Sequence, residues 1–141
     1  MKNMKVLLVA IAVLSLPLAF PKRAFSQSAP EVDGIDPNPI YDGDTNVSMT
    51  ISGSNFLNSD GSCGGVAWWT DASSTAESPG YSGDAGFTVT SCDTEGGTWI
   101  SGYYSVSYPA GSGFIALGTF VVQTDSGIGY GPDVDIDDPD E

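Results

Sequence analysis

The 141-residue chain contains no histidine, and no lysine or arginine follows residue 23. Its four basic residues are Lys2, Lys5, Lys22 and Arg23, whereas all eighteen acidic residues lie between Glu31 and the C-terminus. Without the basic N-terminal segment, the net charge changes from −14 to −18. This charge argues against nucleic acids, phosphate ligands and anionic membrane surfaces as partners, because binding to them depends on Lys and Arg.

The same absences remove most kinds of catalytic site. Without histidine the chain cannot form a Ser-His-Asp triad or a Cys-His pair, and without lysine after residue 23 it has no Schiff-base nucleophile there. Two cysteines without histidine cannot complete a structural zinc site. Glycoside hydrolysis, which needs only two carboxylates, remains compatible with this composition. A chain with eighteen acidic residues always contains some suitable pair, however, so the presence of a pair is not evidence for this activity. We therefore expect that the chain is not an enzyme.

The N-terminus has the pattern of a secretory signal peptide. Residues 1–5 are basic, residues 6–20 are apolar, and Ala24-Phe25-Ser26 provides small residues at a cleavage site. A membrane anchor is the alternative, but an apolar run of about fifteen residues interrupted by Pro17 is short for a bilayer span. We predict a signal peptide over residues 1–26, a secreted or cell-surface location, and no membrane insertion after cleavage.

Only two cysteines are present, Cys63 and Cys92, and both follow the predicted signal peptide. Disulfides persist in extracellular compartments, so a Cys63–Cys92 bridge is favoured over two buried free thiols. The remaining chain of about 115 residues is long enough for one domain with a modest core.

Helical periodicity is missing after residue 26, and Gly, Ser, Asp and Pro recur every eight to twelve residues. Short alternating runs between these turn signals predict strands. The clearest runs are residues 47–51, 65–69, 87–90, 99–108 (with a bulge at Gly102) and 114–124. The pattern predicts an all-β sandwich of about seven strands over residues 27–130, followed by an acidic segment over 131–141.

The first part of this region resembles the opening of an IPT/TIG domain, an immunoglobulin-like family. Residues 30–44 have the family's spacing of prolines and turn glycines, residues 51–56 read ISGSNF, and residues 120–127 are similar to its penultimate strand and turn. The resemblance implies that Phe56 closes the end of the sandwich while Gly53 and Asn55 allow a sharp turn. It also implies an extracellular spacer, adhesion or interaction module that works with copies of itself or with a partner chain, and it supplies no catalytic residue.

Two pairs of neighbouring aromatic residues, Trp68-Trp69 and Tyr103-Tyr104, are candidates for glycan binding. Neighbours on a strand point to opposite faces, so one member of each pair is expected in the core. The exposed members could stack on sugar rings, although packing within a sheet explains the same residues.

The acidic C-terminal segment contains the candidate metal ligands Asp133, Asp135, Asp137 and Asp138. Their spacing resembles the start of a calcium loop, but Asp138 stands where an EF-hand has glycine. The alternatives are a solvated acidic tail and a last strand that contains Val134 and Ile136, with the final acids in the solvent.

We therefore predict a non-catalytic module for adhesion, or a structural subunit of an extracellular assembly or filament. The alternative is a carbohydrate-binding module, and the expected partners are other protein chains or glycans. No cofactor is required, with Ca²⁺ the candidate stabilising ion.

Overall fold

The computed structural model describes residues 27–70, 80–113 and 115–139. The signal peptide predicted for residues 1–26 lies outside the described residues. The described residues form strands, turns and loops, and they contain no helix long and apolar enough to cross a membrane. The prediction of an all-β chain is confirmed.

The described part of the chain contains ten strands rather than about seven. Two of them, β2 and β5, are only two residues long, and β9 and β10 follow one another along the same edge of β8. The strands are β1 (Glu31–Asp36), β2 (Ile40–Tyr41), β3 (Val47–Ser54), β4 (Gly65–Thr70), β5 (Gly80–Tyr81), β6 (Ala85–Cys92), β7 (Trp99–Val106), β8 (Ala116–Thr124), β9 (Gly127–Tyr130) and β10 (Val134–Asp137).

The strands form two sheets that pack face to face. The first sheet has the order β1-β3-β7-β6 and is antiparallel throughout. The second has the order β2-β10-β8-β4-β5, with β9 also paired to β8, and only its β2–β10 pair is parallel. An A-B-E-D sheet facing a G-F-C sheet is the immunoglobulin-like arrangement. Here β2 and β5 add short strands at the edges of the second sheet.

Apolar side chains that alternate along the strands form the core between the sheets. Met49 and Ile51 of β3 lie in it, as do Trp68 of β4 and Phe120 of β8. The rings of Trp68 and Phe120 meet edge to face, with their centroids 5.1 Å apart. A buried tryptophan on strand C, the strand that corresponds to β4 here, is typical of immunoglobulin-like sandwiches.

In the ISGSNF segment, Phe56 and Asn55 have the folding roles expected of them, whereas Gly53 lies within β3 and is required by a close approach rather than by a turn. Phe56 is fully buried, and Asn55 has a φ of 60°, in the left-handed region that asparagine tolerates. A Cβ atom on Gly53 would lie 2.0 Å from the carbonyl oxygen of Glu31, so only glycine fits against the neighbouring strand. Membership of the IPT/TIG family stays a prediction.

The bulge expected at Gly102 lies instead on the neighbouring strand. Gly102 pairs in register with Met49 on one side and Val89 on the other, and the shift falls between Val89 and Ser91 of β6. Gly102 is required by close packing, since a Cβ atom there would lie 2.7 Å from the ring of Phe87.

The predicted disulfide between Cys63 and Cys92 is confirmed, with a Cα–Cα distance of 5.9 Å. Cys92 ends β6 in the first sheet, and Cys63 lies two residues before β4 in the second. The bridge therefore joins the two sheets. Antibody domains place their disulfide between the strands equivalent to β3 and β8; here both of those strands contribute apolar side chains to the core.

Residues 131–141 contribute a strand to the sandwich. Val134 and Ile136 of β10 are fully buried, while Asp135 between them is exposed. β10 pairs with β8 and with β2. The domain boundary placed at residue 130 thus falls inside the sheet-forming part of the chain, because Val134 and Ile136 at alternate positions among the acids anchor a strand between β2 and β8.

Candidate functional site

Most loop carboxylates of the described residues accept hydrogen bonds from N–H and hydroxyl groups, since no basic side chain is there to pair with them. Asp93 accepts bonds from the backbone N–H groups of Glu95, Gly96 and Thr98 and from the Thr98 hydroxyl. The Gly96 N–H and then the Thr98 hydroxyl lower the pKa of Asp93 to about 2. Ser59 in the same way lowers the pKa of Asp125. These acids stabilise turns.

Two further acids close one end of the sandwich. Asp42 is buried and accepts bonds from the backbone N–H and the hydroxyl of Ser112, at 2.9 and 2.8 Å. Asp44 accepts bonds from the backbone N–H of Tyr41 and from the Tyr104 hydroxyl. Burial, and then the bond to Asp44, raise the pKa of Tyr104 well above its usual range. These contacts assign the two carboxylates to folding.

The four aromatic glycan-binding candidates do not form one surface. Trp68 and Tyr104 lie in the core. Trp69 lies on the outer face of the second sheet, whereas Tyr103 lies on the outer face of the first sheet and is 48% exposed. The thickness of the sandwich therefore separates the two outward-facing candidates, Trp69 and Tyr103.

Trp69 belongs to an aromatic cluster with Tyr81 and Tyr130, two residues that the sequence did not single out. Its ring centroid lies 4.8 Å from that of Tyr81 and 5.4 Å from that of Tyr130, and both contacts are edge to face. Tyr81 and Tyr130 are 51% and 52% exposed. Large aromatic groups thus face the solvent on the second sheet.

The aromatic cluster lies over an apolar residue of β8 and is joined to β8 by a hydrogen bond. Val121 pairs with Tyr130 and is fully buried, yet it lies outside the core between the sheets. Its burial therefore comes from side chains on the outer face. Tyr81 reaches across β4 to accept a hydrogen bond from the Gln123 amide on β8, and Ile128 opposite Gln123 is exposed. The cluster is held in place rather than projecting freely.

The candidate metal ligands lie beside this cluster on the same face. Asp135 is directly opposite Leu117 on β8, two residues from Thr119, which pairs with Trp69. Because side chains alternate along a strand and Val134 and Ile136 are buried, Asp135 and Asp137 point outward with the cluster, and we call these two residues the acidic row. Asp133 lies just before β10.

The acidic row shows no grouping of metal ligands. Asp137 and Asp138 line an open depression of about 400 Å³ with Tyr41, Ile115 and Pro139. Among residues 27–70, 80–113 and 115–139, no three His, Cys, Asp or Glu side chains are arranged to hold a metal ion. The calcium prediction is not tested by this observation.

The outer face of the first sheet has a different chemistry. Tyr103 lies in a row between Ser48 and Thr88, and the hydroxyls of Thr50 and Ser101 are 3.0 Å apart in the next row. Trp99, four residues before Tyr103 on β7, is 38% exposed and lies about 13 Å away along the strand. This face presents hydroxyls and two rings.

The sequence contains a signal for one of the two missed residues, Tyr130. The turn at Asp125-Ser126 sets the β8–β9 register and places Tyr130 opposite Val121. Tyr81 had no such signal, because its pairing with Trp69 follows a long connection between β4 and β5.

Comparisons of the chain with models of known protein families, with curated proteins and with solved structures found no match.

Proposed function

We propose that this chain is a non-catalytic immunoglobulin-like module, secreted or displayed at the cell surface, that acts in adhesion or as a subunit of an extracellular assembly. Its contact surface is the outer face of the second sheet. The observation that carries this proposal is the aromatic cluster of Trp69, Tyr81 and Tyr130 on this face, in which both tyrosines are about half exposed.

Exposed aromatic groups of this size mark interaction surfaces. Trp and Tyr are enriched among the residues that dominate binding energy, and a contiguous apolar patch on a soluble domain is commonly functional. The cluster is also preorganised by its ring contacts and by the Gln123 hydrogen bond, so little side-chain freedom is lost on binding.

The extracellular location is supported by two features. The Cys63–Cys92 disulfide is compatible with an oxidising compartment, and the N-terminal sequence has the signal-peptide pattern. The ISGSNF resemblance to IPT/TIG domains supports the same role.

The test compares one aromatic variant on each sheet. Full-length protein, expressed so that its N-terminal segment can be processed, is examined by analytical ultracentrifugation and as a coating on beads presented to cells of the producing organism. Tyr130→Ala should weaken attachment or self-assembly, whereas Tyr103→Ala on the opposite sheet should leave both unchanged. A persistent monomer whose beads attach equally with either variant contradicts the proposal.

Carbohydrate binding is the second candidate, favoured by the hydroxyl rows and the two exposed rings of the first sheet. Rings spaced along one strand could stack on sugars while Ser and Thr hydroxyls bond to them. A panel of neutral glycans should then alter tryptophan fluorescence, and Trp99→Phe should remove the response while Trp69→Phe preserves it. A flat response to every glycan excludes this candidate.

Calcium stabilisation is proposed through the acidic row and has its own test. A specific site raises the melting temperature more in calcium chloride than in sodium chloride at matched ionic strength, and Asp135→Asn with Asp137→Asn removes the difference. The matched control is Asp33→Asn with Asp36→Asn on β1. If both double variants respond alike, the effect is screening.

A further inference from the structure

We propose that the outer face of the second sheet binds a cationic protein segment, with arginine or lysine side chains over the aromatic cluster and along the acidic row. This inference rests on the proposed function and names the partner of its contact surface. The acidic row alone would be an ordinary solvated strand. The contact of Trp69 with the half-exposed rings of Tyr81 and Tyr130 distinguishes this face, because the exposed Trp99 and Tyr103 of the first sheet lie about 13 Å apart along β7.

The ring cluster supplies the first part of the site. A guanidinium or ammonium group is attracted to the faces of Trp and Tyr, and arginine also stacks on them through its planar group. Because the rings of Tyr81 and Tyr130 stand almost perpendicular to Trp69, at 85° each, the cluster offers ring faces in more than one direction. A cation can therefore approach without displacing a ring.

The acidic row supplies the second part, within reach of the same segment. The two-residue step from Leu117 to Thr119 places Asp135 about 7 Å along the strand direction from the row that contains Trp69, and β10 lies two strands, or about 10 Å, from β4. Asp137 lies about 7 Å farther on. Asp135 and Asp137 are therefore about 12 and about 17 Å from the Trp69 position. An extended segment of four or five residues spans these distances at about 3.4 Å per residue, so basic residues in alternate positions reach both parts.

Charge excludes the main competing occupants. Every charged side chain after residue 23 is negative, so an anionic ligand would be repelled across the whole surface. A second copy of this chain would bring its own acidic row to a two-fold contact and would offer no cation to either row. A basic segment is attracted at long range and then bound by local contacts.

The experiment uses capped peptides as probes for the full-length protein. Ac-Arg-Gly-Arg-Gly-Arg-NH₂ is compared with the same peptide carrying citrulline, which keeps the planar group and loses the charge. Binding is followed by calorimetry and by tryptophan fluorescence. We expect the arginine peptide to bind about tenfold tighter than the citrulline peptide, with the affinity decreasing as sodium chloride rises from about 20 to about 150 mM.

Matched variants locate the binding site on the protein. Tyr130→Ala should weaken binding by about threefold to fivefold, and Tyr130→Phe, which keeps the ring, should restore it. Asp135→Asn with Asp137→Asn should weaken binding more than Asp33→Asn with Asp36→Asn, although both pairs remove the same charge. Tyr103→Ala should have no effect, and thermal unfolding verifies that each variant is folded.

Each contrary result has a defined meaning. If the two Asp→Asn pairs weaken peptide binding equally, the attraction comes from the overall negative charge of the protein. That result overturns the proposed site. Equal binding of the citrulline peptide overturns the cationic partner, as does Tyr130-dependent binding of a neutral oligosaccharide or a dimer that Tyr130→Ala dissociates. If Tyr130→Ala reduces attachment of coated beads while the arginine peptide fails to bind, only this inference fails. If attachment and assembly are unchanged in Tyr130→Ala, the proposed function fails whatever the peptides do.

Discussion

Removing the disulfide should cost about 3.6 kcal/mol of unfolding free energy. Cys63 and Cys92 are 29 residues apart, and closing a loop of about 30 residues removes about 12 cal/mol/K of entropy from the unfolded chain. A domain of about 115 residues has an unfolding entropy of about 240 cal/mol/K, so the melting temperature should decrease by about 15 °C. This is a large part of a typical stability of about 5–15 kcal/mol.

The assay is thermal and urea unfolding of three samples. They are the oxidised protein, the same protein reduced by dithiothreitol, and Cys63→Ala with Cys92→Ala. Alanine avoids burying a hydroxyl at Cys92, which is only 8% exposed. The reduced protein keeps both sulfur atoms, so any extra loss in the alanine variant measures packing rather than the cross-link.

The cross-link argument also predicts a larger urea m-value for the reduced protein, because its unfolded chain expands more. A melting temperature that decreases by less than about 5 °C on reduction would refute the loop-closure argument. Free thiols in the native oxidised protein would refute the bridge itself.

The remaining predictions concern single residues. Tyr104→Phe should lower the free energy of unfolding by about 2 kcal/mol in urea titrations, because it removes the hydroxyl that donates to Asp44. Tyr103→Phe is the exposed control. Equal effects of the two variants would contradict the stabilising role of the Tyr104–Asp44 hydrogen bond. Gly53→Ala should destabilise the fold by about 2 kcal/mol or more, since its Cβ atom would overlap a carbonyl oxygen of β1; a thermally neutral variant would disprove this close approach. The lowered pKa of Asp93, about 2 against 3.8, stabilises the fold above pH 4, and this contribution is lost as the pH decreases toward 2. The stability difference between the wild type and Asp93→Asn should therefore shrink over that range, and a constant difference would contradict the assigned pKa.

The sequence predicted the architecture because β-sandwich signals are local. Alternation along residues 47–51 placed Met49 and Ile51 on the inner face, where they are buried. Two cysteines allow only one intramolecular pair, so the disulfide could also be predicted from the sequence. The short strands β2 and β5 were missed because two residues give no alternation to detect.

The neighbouring aromatic residues show where local signals end. Alternation required that Trp68 and Trp69 face opposite ways, but it did not indicate which one faces the core. That choice follows from the β4–β8 register, in which Trp68 pairs with Phe120 over Gly118. A Cβ atom at Gly118 would lie 2.4 Å from the Trp68 ring, so the indole occupies the space that the missing side chain leaves.

By itself, the sequence determined that every charged side chain after residue 23 is acidic, and it predicted an all-β chain and the pairing of the two cysteines. Only the tertiary structure decided that Trp69, Tyr81 and Tyr130 form one cluster and that Asp135 lies on the same face. These residues are far apart along the chain, and hydrogen-bonding between β5, β4, β8, β9 and β10 sets which of them are neighbours. A strand pattern specifies the direction of each side chain, whereas the pairing of strands distant in sequence specifies what lies beside it.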